Sequence, residues 1–311
     1  MFNKELGNIF DKIDSKAVKP SSGGLGKDQK KLTNFETLYA LVQCTRDLSP
    51  LSCGQCLAQA IQNFEGFCTE NSQLGEYCNK KTIISSSSQV SANIDHLLAD
   101  IVTKSLQGAT FVKASYGNGK DTVYGLAQCR GDVDSKDCME CIQNAAKQVR
   151  KLCPNQSDAR IWYDYCFLRH SQNNFFGNVD LSYGILYKNI ANVTNPDVFN
   201  QELGNMFDRI DSKAVKPSSG GLGKDQKKVT DFETLYALVQ CTRDLSPMSC
   251  AQCLAQAIRN FEGYCSNSKG CRVLYSSCYV RYELYPFFFP LEGQFPNNKG
   301  HSLKKSVIIH H

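Results

Sequence analysis

The sequence predicts an α+β protein of tandem small domains, each an antiparallel β-sheet packed on two helices and stapled by disulfides. Three observations lead there. Sixteen cysteines stand in 311 residues and recur at fixed spacing. One segment occurs twice: residues 2–68 align without a gap on 199–265, and 58 of these 67 positions are identical. Each repeat also carries the same order of local patterns, with helical periodicity first, strand-like runs in the middle, a second capped helix, and closing β-rich runs. Two helices with an antiparallel sheet make an α+β domain.

The first element of the unit is amphipathic. In FNQELGNMFDRI, Phe199, Leu203, Met206, Phe207 and Ile210 fall at helical spacing. A glycine-rich turn follows, SSGGLGKD in the outer copies and YGNGKD in the middle unit, with strand-like runs such as TVYGLAQC beside it. The second helix is expected to start at a serine cap, Ser246 followed by Pro247 in the last unit and Ser135 in the middle one. Proline suits the first helical turn because it has no N–H to satisfy. The closing runs ARIWYDYCFLR and CRVLYSSCYVRYELY are aromatic and β-branched, as strands are.

The cysteines set the domain count. The middle unit reads Cys129-x8-Cys138-x2-Cys141-x11-Cys153-x12-Cys166, and the last reads Cys241-x8-Cys250-x2-Cys253-x11-Cys265-x12-Cys278. The N-terminal copy carries Cys44-x8-Cys53-x2-Cys56-x11-Cys68 and then stops. The expected units are a truncated copy over 1–72, complete domains over 76–180 and 185–290, and a disordered tail over 291–311.

Geometry restricts the pairing. Cys141 and Cys153 stand at opposite ends of the second helix, roughly 18 Å apart at 1.5 Å per residue, and a disulfide needs Cα atoms within about 7 Å. Each must therefore reach outside the helix. The expected bridges are Cys129–Cys138, Cys141–Cys166 and Cys78–Cys153. In the last unit Lys188 stands where Cys78 would, and an extra Cys271 follows Cys265, so Cys241–Cys250, Cys253–Cys278 and Cys265–Cys271 are expected. In the truncated copy Cys44–Cys53 can form, whereas Cys56 and Cys68 are left unpaired. Without its closing strands that copy has an open sheet edge and is not expected to be stable alone.

The bulk properties exclude several classes. The formal charge of +5 comes from interspersed Lys, Arg, Asp and Glu, without a basic stripe for nucleic acid. No apolar run reaches transmembrane length. The five histidines avoid the cysteine pattern, which disfavours zinc. No nucleophile–base–acid set repeats at useful spacing, so no enzyme, cofactor or metal is expected. His170 reads as a sheet residue and Trp162 as core. The cysteine count fits an oxidising compartment, yet the opening MFNKELGNIFDKID lacks the apolar core of a signal peptide. The expectation is that the true start precedes this sequence. Asn155 and Asn192 open glycosylation sequons, usable in a secreted chain.

With the C-x8-C-x2-C core and the terminal CYVRYE, the chain resembles the plant ginkbilobin-type, or stress-antifungal, domains, and in layout the cysteine-rich repeat secretory proteins that carry two of them. The resemblance implies a small sheet on two helices with three disulfides, secretion to the apoplast, and mannose binding through an Asn, an Arg and a Glu. Those positions are Asn189, Arg272 and Glu283 in the last unit. In the middle unit they are Asn79, Arg160 and Ser171, where the carboxylate is missing. Such groups suit a sugar's donor and acceptor hydroxyls. Eleven residues separate Arg272 from Glu283, which in an unbroken strand puts them on opposite faces; a bend near Ser276 and Ser277 is needed to bring them together.

The first functional reading is a secreted, non-enzymatic, lectin-like protein of plant stress or defence that binds a mannose-type glycan. The second is an apoplastic protein–protein interaction module with a receptor-like partner. The third is a redox or metal-binding cysteine protein.

Overall fold

The computed structural model describes residues 2–32, 37–45, 47–54, 56–57, 72–189, 191–230, 233–285 and 287–288. Cys68 and the tail expected over 291–311 lie outside them. The chain divides near residue 70 into two compact units.

In the first unit, helix α1 (Phe2–Ala17) lies on an antiparallel pair, β1 (Leu25–Lys31) and β2 (Thr37–Gln43). Ile9, Phe10 and Ile13 form its core, packed by Leu38, Ala40 and Val42. A Cβ on Gly26 would stand 1.8 Å from the Ile13 carbonyl oxygen, so only glycine lets the helix approach β1 this closely. Cys44 bridges Cys53, and Leu57 packs with that disulfide and Ala17.

The second unit holds two domains of one design. The first comprises β3 (Gln73–Cys78), α2 (Gln89–Leu106), β4 (Phe111–Tyr116), β5 (Val123–Cys129), α3 (Ser135–Leu152), β6 (Ala159–Tyr163) and β7 (Cys166–Ser171). The second comprises β8 (Gly184–Lys188), α4 (Pro196–Ala214), β9 (Leu222–Lys228), β10 (Thr234–Cys241), α5 (Pro247–Tyr264), β11 (Gly270–Tyr275) and β12 (Cys278–Glu283). Both sheets are antiparallel, in the orders β3-β6-β7-β5-β4 and β8-β11-β12-β10-β9. The ordered sheets thus begin at Gln73 and Gly184, slightly ahead of the boundaries at 76 and 185.

Each helix is laid down by its apolar stripe. Ile94, Leu97, Leu98 and Ile101 of α2 and Cys138, Cys141, Ile142, Ala145 and Val149 of α3 enter one core, while Phe199, Leu203, Met206, Phe207 and Ile210 of α4 meet Leu254, Ala257 and Phe261 of α5 in the other. Ser246 caps α5, accepting from the Ser249 amide at 3.1 Å. The cap of α3 is Asp134, accepting from the Asp137 amide at 2.9 Å, and Ser135 is the first helical residue. This corrects the serine cap: a carboxylate one residue earlier satisfies the same amide and also suits the positive helix end.

The second unit contains Cys78–Cys153, Cys129–Cys138, Cys141–Cys166, Cys241–Cys250, Cys253–Cys278 and Cys265–Cys271. Cys78 lies opposite Ala159 and, at the matching place, Lys188 lies opposite Cys271. The partner of the cysteine that closes the second helix has moved one strand across. Directly opposed residues have Cβ atoms about 5 Å apart, so Cys265 reaches the one as readily as Cys153 reaches the other. Among the described residues, Cys56 is a free, exposed thiol.

Candidate functional site

The candidate site lies on the sheet face that turns away from the helices. Side chains alternate along a strand. On β11 and β12, Cys271, Val273, Val280 and Tyr282 enter the helical core, which leaves Arg272, Arg281 and Glu283 on the other face. The strand ends at Tyr275, Ser276 and Ser277 form the bend, and β12 returns antiparallel. Arg272 then opposes Arg281, and Glu283 opposes Gly270, so Arg272 and Glu283 share a face. Asn189 sits beside them: its amide donates to the Gly270 carbonyl at 2.9 Å. The Glu283 carboxylate covers Gly270 so closely that a Cβ there would meet Oε2 at 1.8 Å.

All three side chains already have partners within the protein. Asn189 is exposed, and its Oδ1 accepts from the Ala191 amide at 2.9 Å. Arg272 donates to Asp164 of the first domain at 2.8 Å. Glu283 is 5% exposed and accepts from Arg281 Nε at 3.0 Å. Arg281 also lies 3.7 Å from Asp164, donates to the Tyr285 hydroxyl, and stacks 4.1 Å from the Phe287 ring centre. Burial works against its charge, but Tyr279, Glu283, Tyr285 and Asp164 outweigh that and hold its pKa above the usual value.

The first domain repeats the arrangement. Arg160 opposes Arg169, and Arg169 stacks 4.1 Å from the Phe175 ring centre. The carboxylate that Ser171 does not supply comes from Asp180, which lies 3.1 Å from Arg160 and 2.9 Å from Arg169. Burial raises the Asp180 pKa, yet Ser182 and the two guanidiniums outweigh it and keep the carboxyl below its usual range. Asn79 donates to Asp158 at 3.0 Å.

These two faces pair with each other, domain to domain. Arg160 donates to Ser276 at 2.6 Å, just as Arg272 donates to Asp164; Asp164 and Ser276 each stand two residues before the last shared cysteine. Gln128 donates to the Cys241 carbonyl at 2.8 Å and accepts from the Arg243 amide at 2.8 Å. Gln240 donates to the Cys129 carbonyl at 3.5 Å and accepts from the Gly131 amide at 3.0 Å. Trp162 is buried here rather than in its own helical core, and its Nε1–H donates to the Tyr275 carbonyl at 3.2 Å. The cavity between the sheets measures about 60 Å³, the scale of a few water molecules.

Sequence reasoning did not single out Gln128, Gln240, Asp164, Asp180, Arg169 or Arg281. A signal was present: a glutamine precedes the first cysteine of the pattern in all three copies. In the truncated copy that residue, Gln43, is exposed and turns back onto the carbonyls of Gly23 and Cys44.

A family model described as salt stress response/antifungal matches residues 1–79, 77–173 and 187–285. The chain belongs to this family. Cysteine-rich repeat secretory protein 55 of Arabidopsis thaliana is 53% identical over 246 residues, covering 78% of this chain and 92% of the relative. An antimicrobial ginkbilobin-2-like protein of Castanea crenata is 37% identical, covering 69% of this chain and 88% of its own. The solved tandem DUF26 ectodomain of the Arabidopsis thaliana cysteine-rich receptor-like protein PDLP8 aligns with a TM-score of 0.60 at 28% identity, covering 69% of this chain and 98% of that one. The tandem antiparallel α+β architecture of this chain is that of the family.

Among the described residues no helix is long and apolar enough to cross a membrane, and no group of three His, Cys, Asp or Glu is placed to hold a metal ion. Asn155 and Asn192 are both exposed.

Proposed function

We propose that this chain is a secreted, non-enzymatic binding protein of the plant apoplast that works by protein–protein contact, as the receptor-like relatives' ectodomains suggest. One observation carries the reading. The groups that would grip a sugar are already engaged: Arg272 holds Asp164 of the other sheet and Glu283 holds Arg281 of its own strand, so a ligand at Arg272 or Glu283 would have to displace Asp164 or Arg281. Losing one member of a buried charge pair costs about 3–5 kcal/mol, more than a few sugar hydroxyl contacts return. Seven disulfides among the described residues support an oxidising compartment, and the exposed sequons Asn155 and Asn192 are proposed to carry glycans there.

A lectin-like reading has one observation in its favour: Asn189 remains exposed beside Gly270, next to the Glu283 carboxylate. Titration of the full chain with mannose and with a mannose-rich glycan separates the two. The interaction reading expects no saturable binding. Saturable binding that disappears in Glu283→Gln, with the fold retained, would establish the lectin instead.

A further inference from the structure

Residues 2–57 and 199–254 are near-copies with different surroundings. In the complete domain, β10 is flanked by β9 on one side and β12 on the other. Its counterpart β2 pairs with β1 alone among the described residues. On the outer face, which in the complete domains carries the contact between them, Leu238 of β10 is 0% exposed, while its counterpart Leu41 is 63% exposed and the neighbouring Tyr39 is 72% exposed, so this copy lacks that cover as well. Cys253 is buried and bonded to Cys278 on β12. Its counterpart Cys56 is an exposed free thiol. The middle domain repeats the complete arrangement, with β7 beside β5 and Cys141 bonded to Cys166. In both complete domains, then, the strand that seals this edge is the strand that brings the cysteine.

We propose that the first unit is an acceptor for a closing β-strand from another polypeptide, sealed by a disulfide to Cys56. The β10–β12 register gives the chemistry of that strand. Cys241, Val239 and Ala237 oppose Cys278, Val280 and Tyr282, so Cys44, Val42 and Ala40 would oppose a cysteine, an aliphatic residue and an aromatic residue at i, i+2 and i+4. Strand addition to an open edge satisfies its backbone groups, and alternate side chains give selectivity. The donor is a different chain. Within this protein β12 is already seated between β11 and β10, and Cys278 is already bonded to Cys253, so lending β12 to another copy would lose what it gains.

The covalent step is thiol–disulfide exchange. The donor cysteine arrives as a disulfide, the Cys56 thiolate attacks its sulfur, one S–S bond forms as another breaks, and the released thiolate takes up a proton. No net oxidation occurs.

The test uses the full chain and a peptide of residues 270–283 with Cys271→Ser and Cys278 carried as a thiopyridyl disulfide. A scrambled peptide with the same activated cysteine is the control. The expected result is attachment at Cys56, mapped by mass spectrometry and absent in Cys56→Ser, about ten-fold faster than with the scrambled peptide because docking raises the local concentration. A Cys278→Ser peptide should also slow hydrogen exchange of the β2 amides without any covalent bond. Equal rates for the two peptides, attachment elsewhere, or unprotected β2 amides would overturn the proposal. A Cys56–Cys278 cross-link in the chain alone would overturn the choice of donor.

Discussion

Gln128 and Gln240 make the same two hydrogen bonds in opposite directions. Each donates to the carbonyl of the cysteine that follows the other, and each accepts from an amide two residues beyond that cysteine. The two domains are thereby joined by a reciprocal contact at the centre of their outer faces. Each glutamine is nearly completely buried, so truncation strands a main-chain amide and a carbonyl of the opposite domain. Gln128→Ala and Gln240→Ala are each expected to lower unfolding stability by about 1–3 kcal/mol. Urea melts of the singles and the double should be non-additive, as for groups sharing one network; independent effects would separate the two bonds.

The disulfides are unequal because their loops are unequal. Cys78–Cys153 closes a separation of 75 residues and Cys265–Cys271 one of 6. Loop entropy assigns them about 4 and about 2 kcal/mol. Replacing Cys78 and Cys153 by Ala should therefore destabilise the chain by about 2 kcal/mol more than replacing Cys265 and Cys271, read from paired denaturation curves.

His170 of β7 is fully buried, and burial, helped by Arg150, pushes its pKa down to about 4. An unfolded histidine titrates near 6.5. Between these values the unfolded chain binds more protons than the folded one, so stability falls as pH falls from about 6.5 to about 4, by about 3 kcal/mol in all. His170→Gln should flatten this part of the stability–pH profile. An unchanged slope would place the acid sensitivity elsewhere.

Asp211 behaves in the opposite sense. Burial, then the Asp208 charge, raises its pKa to about 7. The folded chain holds this proton more tightly than the unfolded one, so the carboxyl weakens the fold as pH rises from about 4 to about 7. Asp211→Asn is expected to raise Tm, and to raise it more at pH 8 than at pH 5. An equal gain at both would show that charge is not the cause.

The cysteine framework was legible because covalent reach and helix rise are local, countable quantities. Cys141 and Cys153 are separated by their own helix, and the spacing alone points each outward. A bend near Ser276 and Ser277 was legible on the condition that Arg272 and Glu283 converge, because eleven residues of unbroken strand would put them on opposite faces; that the bend is a full reversal between β11 and β12 was not. The α3 cap was missed by one residue because Asp134 and Ser135 are both good caps and only the backbone decides between them. The pairing of the two sheets was not legible. Gln128, Arg169, Gln240 and Arg281 are polar residues on strand faces away from a helical core, and that pattern ordinarily means solvent. Only a second domain, carrying the complementary set on the same face, turns these positions into an interior.

The two complete domains are locked together through these faces, and hydrogen exchange of the full chain can read that lock. Gln128→Ala lies in the first domain, and its effect is read in β10 of the second, over Thr234–Cys241. Exchange is expected to quicken in β10 as well as in β5. Faster exchange in β5 with β10 unchanged would show that the domains are independent.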